Sequence, residues 1–140
     1  MRASLALLLA SLAGCGSFGS GTWDDDPRNW SRAFESAMPD TAVVKHSRYT
    51  RFAHLTHEFE YFFQLAPNAE LSRQILRDGT LVRLRPADAG WSRTGDTPEW
   101  FAPKAEQAYD VYARAGDSQR EFRVLVDRRT RELFFTDRRL

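Results

Sequence analysis

The chain of 140 residues has only one cysteine, Cys15. No disulfide can form within it, so the fold must be stabilised by burial of apolar groups. After residue 12 no apolar run approaches the ~20 residues that a membrane-spanning helix requires. An excess of one charge is also lacking. The 20 Lys and Arg residues include Arg2, so residues 15–140 carry 19 basic and 19 acidic side chains, which argues against a nucleic-acid-binding protein.

The first residues are typical of a secretory signal peptide. Arg2 precedes an apolar run over residues 3–12 that is too short to span a bilayer. The run ends in Leu12-Ala13-Gly14-Cys15, which resembles the lipobox of bacterial lipoproteins. The resemblance implies that the Cys15 sulfur receives a diacylglyceryl group and that residues 1–14 are removed. It also implies that the new amino group is acylated by a fatty acid such as palmitate.

The same resemblance implies a location. Two or three acyl chains hold a protein at a membrane, since each buried CH₂ contributes ~0.8 kcal/mol. In Gram-negative lipoproteins an Asp after the cysteine favours the inner membrane. Gly16 stands there in this chain, which implies the outer membrane, with the domain facing the periplasm. The alternative is an ordinary signal peptide followed by an accidental cysteine.

Composition divides the chain into three parts. Residues 1–14 are the predicted signal peptide, residues 15–26 the lipidated cysteine and a flexible tether, and residues 27–140 a single α+β domain. Residues 16–26 have no periodic apolar pattern, and a coil of that length spans roughly 17 to 20 Å. Phe18 and Trp23 interrupt this polar segment, and each is expected either to rest on lipid or to pack on the domain.

Apolar spacing predicts two short helices. The first covers residues 28–38 after Asp26-Pro27, an N-cap residue followed by proline. The second begins after Asn68, buries Leu71, Ile75 and Leu76, and ends at Gly79.

The other periodic segments predict a mostly antiparallel sheet of about five or six strands. They cover residues 42–52, 57–65, 81–85, 109–114, 121–127 and 133–136. In the second segment Phe59, Tyr61 and Phe63 alternate with polar residues, but Phe62 breaks the pattern. A helix over this segment therefore stays open as the alternative.

A long loop over residues 86–103 holds the candidate binding residues Trp91, Trp100 and Phe101. Exposed aromatic side chains anchor protein or sugar partners at low entropic cost, and the alternative is that they plug the open end of the sheet. We expect Phe101 to be buried and Trp100 to lie at the surface. The chain has a helix after an aromatic strand, then Pro98-Glu99-Trp100-Phe101-Ala102-Pro103, then paired closing strands around Asp127. This order is similar to that of many small uncharacterised bacterial lipoproteins, a resemblance that implies a fold and no activity.

Candidate chemistry is sparse. His54, His57 and Glu58 are zinc-ligand types, but their spacing matches no zinc motif, and we expect no metal and no other cofactor. Glu58 and Glu60 are predicted to lie on the same face of a strand. They could act as the acid and base of glycan cleavage, and the alternative is that they are charges that face solvent. No G-x-S-x-G nucleophile motif occurs.

These observations predict a lipid-anchored, non-catalytic binding or assembly module of the cell envelope with an unidentified protein or cell-wall partner. One alternative is a small envelope hydrolase that uses His57 with Glu58 or Glu60. Another is an immunity-type inhibitor of a toxin, which would present a convergent charged surface.

Overall fold

A computed structural model describes residues 19–53, 58–77, 79–91, 93, 95–116 and 121–139. Within these residues seven strands form one antiparallel sheet in the order β1-β2-β3-β7-β6-β5-β4. The strands are β1 (Gly21–Asp24), β2 (Val44–Arg51), β3 (Phe59–Leu65), β4 (Leu81–Arg83), β5 (Tyr109–Arg114), β6 (Arg123–Asp127) and β7 (Leu133–Arg139). The predicted antiparallel α+β architecture is confirmed, but the predicted strand number of five or six was too low.

Two short α-helices accompany the sheet, as predicted: α1 (Asn29–Phe34) and α2 (Ala69–Arg77). The side chain of Asn68 caps α2, since its Oδ1 accepts a hydrogen bond from the N–H of Leu71 at 2.9 Å. Gly79 follows with φ of +72°, the left-handed conformation that favours glycine after a helix. Helix α1 is shorter than predicted because Glu35 takes φ of +51°. None of the helices in the described ranges is long and apolar enough to cross a membrane.

Strand β1 corrects the prediction that residues 15–26 form a flexible tether. Gly21–Asp24 pairs with residues 48–51 of β2. Trp23 packs on Tyr49, with ring centroids 6.1 Å apart. A Cβ on Gly21 would lie 2.8 Å from the Trp23 ring, so the ring folds back over this glycine. The folded domain therefore includes residues 21–24 instead of starting at residue 27.

Strand β3 is buried on both sides, which explains why Phe62 breaks its alternation. Tyr61 and Phe63 lie on one face with Trp30 of α1 and Leu71 of α2. We call this the helical face. Phe62 lies on the opposite face, which the described residues between Leu84 and Ala108 cover, and we call that the loop face. The strand prediction for residues 59–65 is confirmed, and the helix alternative is wrong for them.

The register also defines the two ends of the sheet. Gly21 pairs with Arg51, Arg51 with Phe59, and Phe59 with Arg139. These four residues form one row across β1, β2, β3 and β7, which we call the tether end because the chain enters the sheet there. The turn from β6 to β7 lies at the opposite end.

Candidate functional site

The three predicted binding residues lie in different environments on the loop face. Phe101 is 1% exposed and packs against Phe62 at 4.9 Å and Phe134 at 5.7 Å between ring centroids. Trp91 is 8% exposed and meets Tyr109 edge-on at 5.8 Å. Both belong to the core. Because they are buried, they cannot contact a partner directly.

Trp100 is the member of the set that stays partly exposed. Its ring stacks on the imidazole of His46, with centroids 5.4 Å apart and planes at 27°. The predicted split, with Phe101 buried and Trp100 at the surface, is confirmed. His46 was missed by the sequence analysis because it lies on β2, more than fifty residues away, and belongs to no motif. Only the pairing of strands brings it to the loop.

Polar contacts hold the Trp100 segment against β2. Arg48 donates from Nη1 to the carbonyl oxygen of Asp96 at 3.1 Å and from Nε to Oδ1 of Asp24 at 2.6 Å. Its pKa is raised, chiefly by the hydrogen bond to Asp24. The Nδ1 of His46 lies 3.4 Å from Oδ2 of Asp25. We define the Trp100 surface as Trp100, His46 and Arg48.

An ion pair between a half-exposed lysine and a buried carboxylate fixes the chain just after Phe101. Lys104 Nζ binds Oδ2 of Asp127, whose side chain is 2% exposed. Oδ1 of Asp127 accepts hydrogen bonds from the N–H groups of Arg129 and Thr130, both at 2.8 Å. Burial alone would raise the pKa of Asp127, but the bonds from Lys104 and the two N–H groups outweigh it and lower the pKa to about 2. The carboxylate is therefore charged and structural at neutral pH.

Two further hydrogen bonds hold the backbone of the loop in place. Arg93 donates from Nη2 to the carbonyl oxygen of Ala102 at 2.9 Å, and Ala102 is fully buried with φ of +41°. The N–H of Lys104 donates to the hydroxyl of Tyr109 at 3.0 Å. Trp100 is thus presented by a segment that is already ordered, which lowers the entropic cost of binding through it.

The arginines beside the loop bind carboxylates of this chain. Arg83 and Arg128 both contact Oδ1 of Asp110, at 2.5 and 2.8 Å, inside a groove of about 640 Å³. Burial raises the pKa of Asp110, but these two guanidinium groups lower it by more. Arg85 pairs with Asp88 at 2.9 Å. Both arginines in the groove are thus engaged by one carboxylate of the same chain, and the immunity-type alternative stays a prediction.

Glu60 corrects the expectation that Glu58 and Glu60 share a solvent-facing surface. Glu60 is 3% exposed, and its Oε1 lies 3.9 Å from Nε of Arg138. Glu58 is partly exposed. His54 and His57 lie outside the described residues, so the hydrolase alternative, which needs His57, stays a prediction. Among the residues that the structure describes, no three His, Cys, Asp or Glu side chains are grouped to hold a metal.

The predicted lipidation site, Cys15, and the residues that resemble a lipobox also lie outside the described residues. The chain was compared with protein-family profiles, curated proteins and solved structures, and none of them matches it.

Proposed function

We propose that this protein is a lipid-anchored lipoprotein of the bacterial cell envelope that acts as a non-catalytic binding or assembly module. The observation that carries the proposal is Leu12-Ala13-Gly14-Cys15, which follows a short apolar run and contains the only cysteine. Acylation at Cys15 accounts for a single thiol in an exported chain. Gly16 supports the outer membrane as the site of anchoring, with the domain in the periplasm.

The binding half of the proposal is supported by the Trp100 surface. Trp100 offers a partly exposed ring on an ordered segment, and tryptophan is among the residues that contribute most at protein interfaces. His46 backs the ring, and Arg48 adds a cation on the same face of β2. This combination suits a protein or cell-wall partner that places an apolar or sugar face on the indole.

The anchor is tested with Cys15→Ser. We expect the variant to leave the membrane fraction and to lose metabolic labelling by palmitate, because the acyl chains are the proposed attachment. Its circular dichroism should match that of the wild type, since Cys15 precedes every described strand. Ser17→Ala is the matched control and should remain at the membrane. A Cys15→Ser protein that still pellets with membranes after salt washes would contradict the anchor.

The binding surface is tested by crosslinking capture from envelope fractions. Trp100→Ala should lose the partner that the wild type captures, with little change in the free energy of unfolding, because the side chain is partly exposed. Val82→Ala removes another exposed apolar side chain, 45% exposed, from the distant strand β4. That control should capture normally. If Trp100→Ala captures as well as the control, the Trp100 surface is not the binding site.

A further inference from the structure

Three aromatic side chains form a continuous, partly exposed strip on the helical face beside the tether end. They are Trp23, Tyr49 and Phe59, one from each of β1, β2 and β3. Ring centroids lie 6.1 Å apart for Trp23 and Tyr49, and 6.2 Å apart for Tyr49 and Phe59. Further along β3 the strip meets Tyr61, which is buried. The core of the helical face thus extends outward into an aromatic surface.

Cations surround this strip. The guanidinium of Arg32 lies 4.7 Å from the Trp23 ring centroid. Arg51 and Arg139 flank Phe59 in the row at the tether end, and Arg139 is exposed. Arg32 also pairs with Asp26 at 3.0 Å, and Arg51 and Glu35 are the other charged groups that act on Tyr49. We call these three aromatic and three arginine residues the tether-end patch.

The patch adjoins the chain that leads to Cys15. A cavity of about 440 Å³ is lined by Gly19 and Ser20 together with the Trp23 and Tyr49 side chains. Gly21 is six residue steps from Cys15, and extended chain spans at most ~3.6 Å per step, so β1 begins within about 22 Å of the cysteine. The Trp23 ring folds back over Gly21, towards this chain.

We propose that the tether-end patch docks onto the anionic bilayer surface that holds the acyl chains of Cys15, an inference that rests on the proposed lipid anchor. Tryptophan and tyrosine concentrate at membrane–water interfaces because each combines an apolar ring with a polar group. Arginine side chains beside them complement anionic headgroups. The short connection to Cys15 keeps the patch close to that surface.

This docking would give the domain a fixed orientation. Trp100 lies on the loop face, opposite the tether-end patch, and stacks on His46 near the far end of β2. With the patch on lipid, the Trp100 surface points away from the membrane and stays open to a partner.

The test uses the full chain, processed and lipidated in cells, purified and reconstituted into vesicles of phosphatidylglycerol and phosphatidylcholine. Flotation first shows whether the acyl chains anchor the protein. Tryptophan fluorescence is then recorded with lipids brominated near the headgroup, which quench only nearby indoles. We expect the wild type to be quenched and Trp23→Phe to lose most of that quenching. Trp100→Phe, the matched control, should keep it.

A second variant tests the charge argument without touching the indole. Arg51→Gln combined with Arg139→Gln should reduce the quenching of Trp23 in phosphatidylglycerol vesicles. Replacing phosphatidylglycerol by neutral lipid should do the same to the wild type, because both changes remove the attraction between arginine and lipid. Circular dichroism confirms that each variant is folded.

The outcomes separate the two proposals. A wild-type protein that does not float has no lipid anchor, and both the anchor and the docking fail. A protein that floats but shows no quenching, or shows quenching that depends on Trp100, keeps its anchor and overturns the docking alone.

Discussion

Asn29 stabilises the junction of three elements although it is polar and fully buried. Its Nδ2 donates to the carbonyl oxygen of Trp23 at 2.8 Å and to Oγ of Ser47 at 3.1 Å. Its Oδ1 accepts from Nη1 of Arg32 at 2.7 Å. One side chain in α1 thereby joins β1 to β2, and both the nitrogen and the oxygen of its amide form hydrogen bonds.

Asn29→Ala should lower the free energy of unfolding by ~1 to 3 kcal/mol, because it leaves buried partners without their hydrogen bonds. Urea denaturation followed by circular dichroism measures the change. Gln107→Ala, an exposed amide, is the control and should stay within about 0.5 kcal/mol of the wild type. A loss no larger than that of the control would show that β1 docks without Asn29.

Asp127 gives the domain a specific acid sensitivity. The pKa of its carboxyl is lowered from 3.8 to about 2 in the folded chain, so the charged form stabilises the fold above about pH 4. This contribution, roughly 2 kcal/mol, is lost as the pH falls from about 4 to about 2.

Asp127→Asn removes the charge while its side-chain oxygen can still accept the bonds from Arg129 and Thr130. We therefore expect the variant to be less stable than the wild type at pH 7 and the difference to shrink towards pH 2. Denaturant melts across that range measure it. Asp88→Asn affects an exposed pair with Arg85 and should show no such convergence. A difference between Asp127→Asn and the wild type that does not change with pH would contradict the assignment.

At the scale of elements, the described residues between Leu84 and Ala108 cover the loop face, and Phe101 is buried among them. Phe101→Ala should cost ~3 to 5 kcal/mol of stability, the usual result of removing a large buried ring. Trp100→Ala should cost clearly less, because its side chain is only partly buried. Melts of the two variants compare them, and equal large losses would mean that Trp100 is also part of the core.

The sequence predicted elements well where one periodicity dominated. Residues 109–114 alternate cleanly, and the predicted strand matches β5 at both ends. The position of α2 could be predicted because its two ends are marked in the local sequence. Asn68 is an N-cap residue, and Gly79 is a glycine that ends a helix. Strand β1 was missed because glycine and aspartate flank its single aromatic residue, Trp23. Its strand conformation comes from pairing with β2. That pairing cannot be predicted from the residues near β1 in the sequence.

The candidate site was predicted less completely for the same reason. The exposure of Trp100 follows from its alternation with Phe101, which is local. The stacking of His46 and the burial of Glu60 both depend on which strands become neighbours. Glu60 was expected in solvent because the alternation in β3 predicted that only one face of the strand is buried. In the structure the loop face of β3 is also covered.

At the scale of the whole molecule, β7 joins two halves of the sheet. Strands β1 to β3 form one run and β4 to β6 the other, and β7 pairs with both β3 and β6. Seven residue pairs link β3 with β7. This order brings distant parts of the chain together, so local patterns could not predict it.

Removal of residues 132–140 should abolish the native fold, because it leaves β3 and β6 as unpaired, apolar edges. We expect loss of the near-ultraviolet circular dichroism signal and of a cooperative melt. Removal of residue 140 alone is the control and should be tolerated. A cooperative melt in the shorter chain would show that one half of the sheet folds by itself.

The central position of β7 also affects when the sheet can form during synthesis of the chain. A ribosome makes the chain from its amino end, and the sheet cannot close until the residues of β7, up to Arg139, have been made. The precursor proposed here carries its secretion signal in the first residues, long before that point. Under the proposed lipoprotein assignment, β3 and β6 therefore lack their shared partner β7 while the signal segment is already made, so the order of the strands delays closure of the sheet.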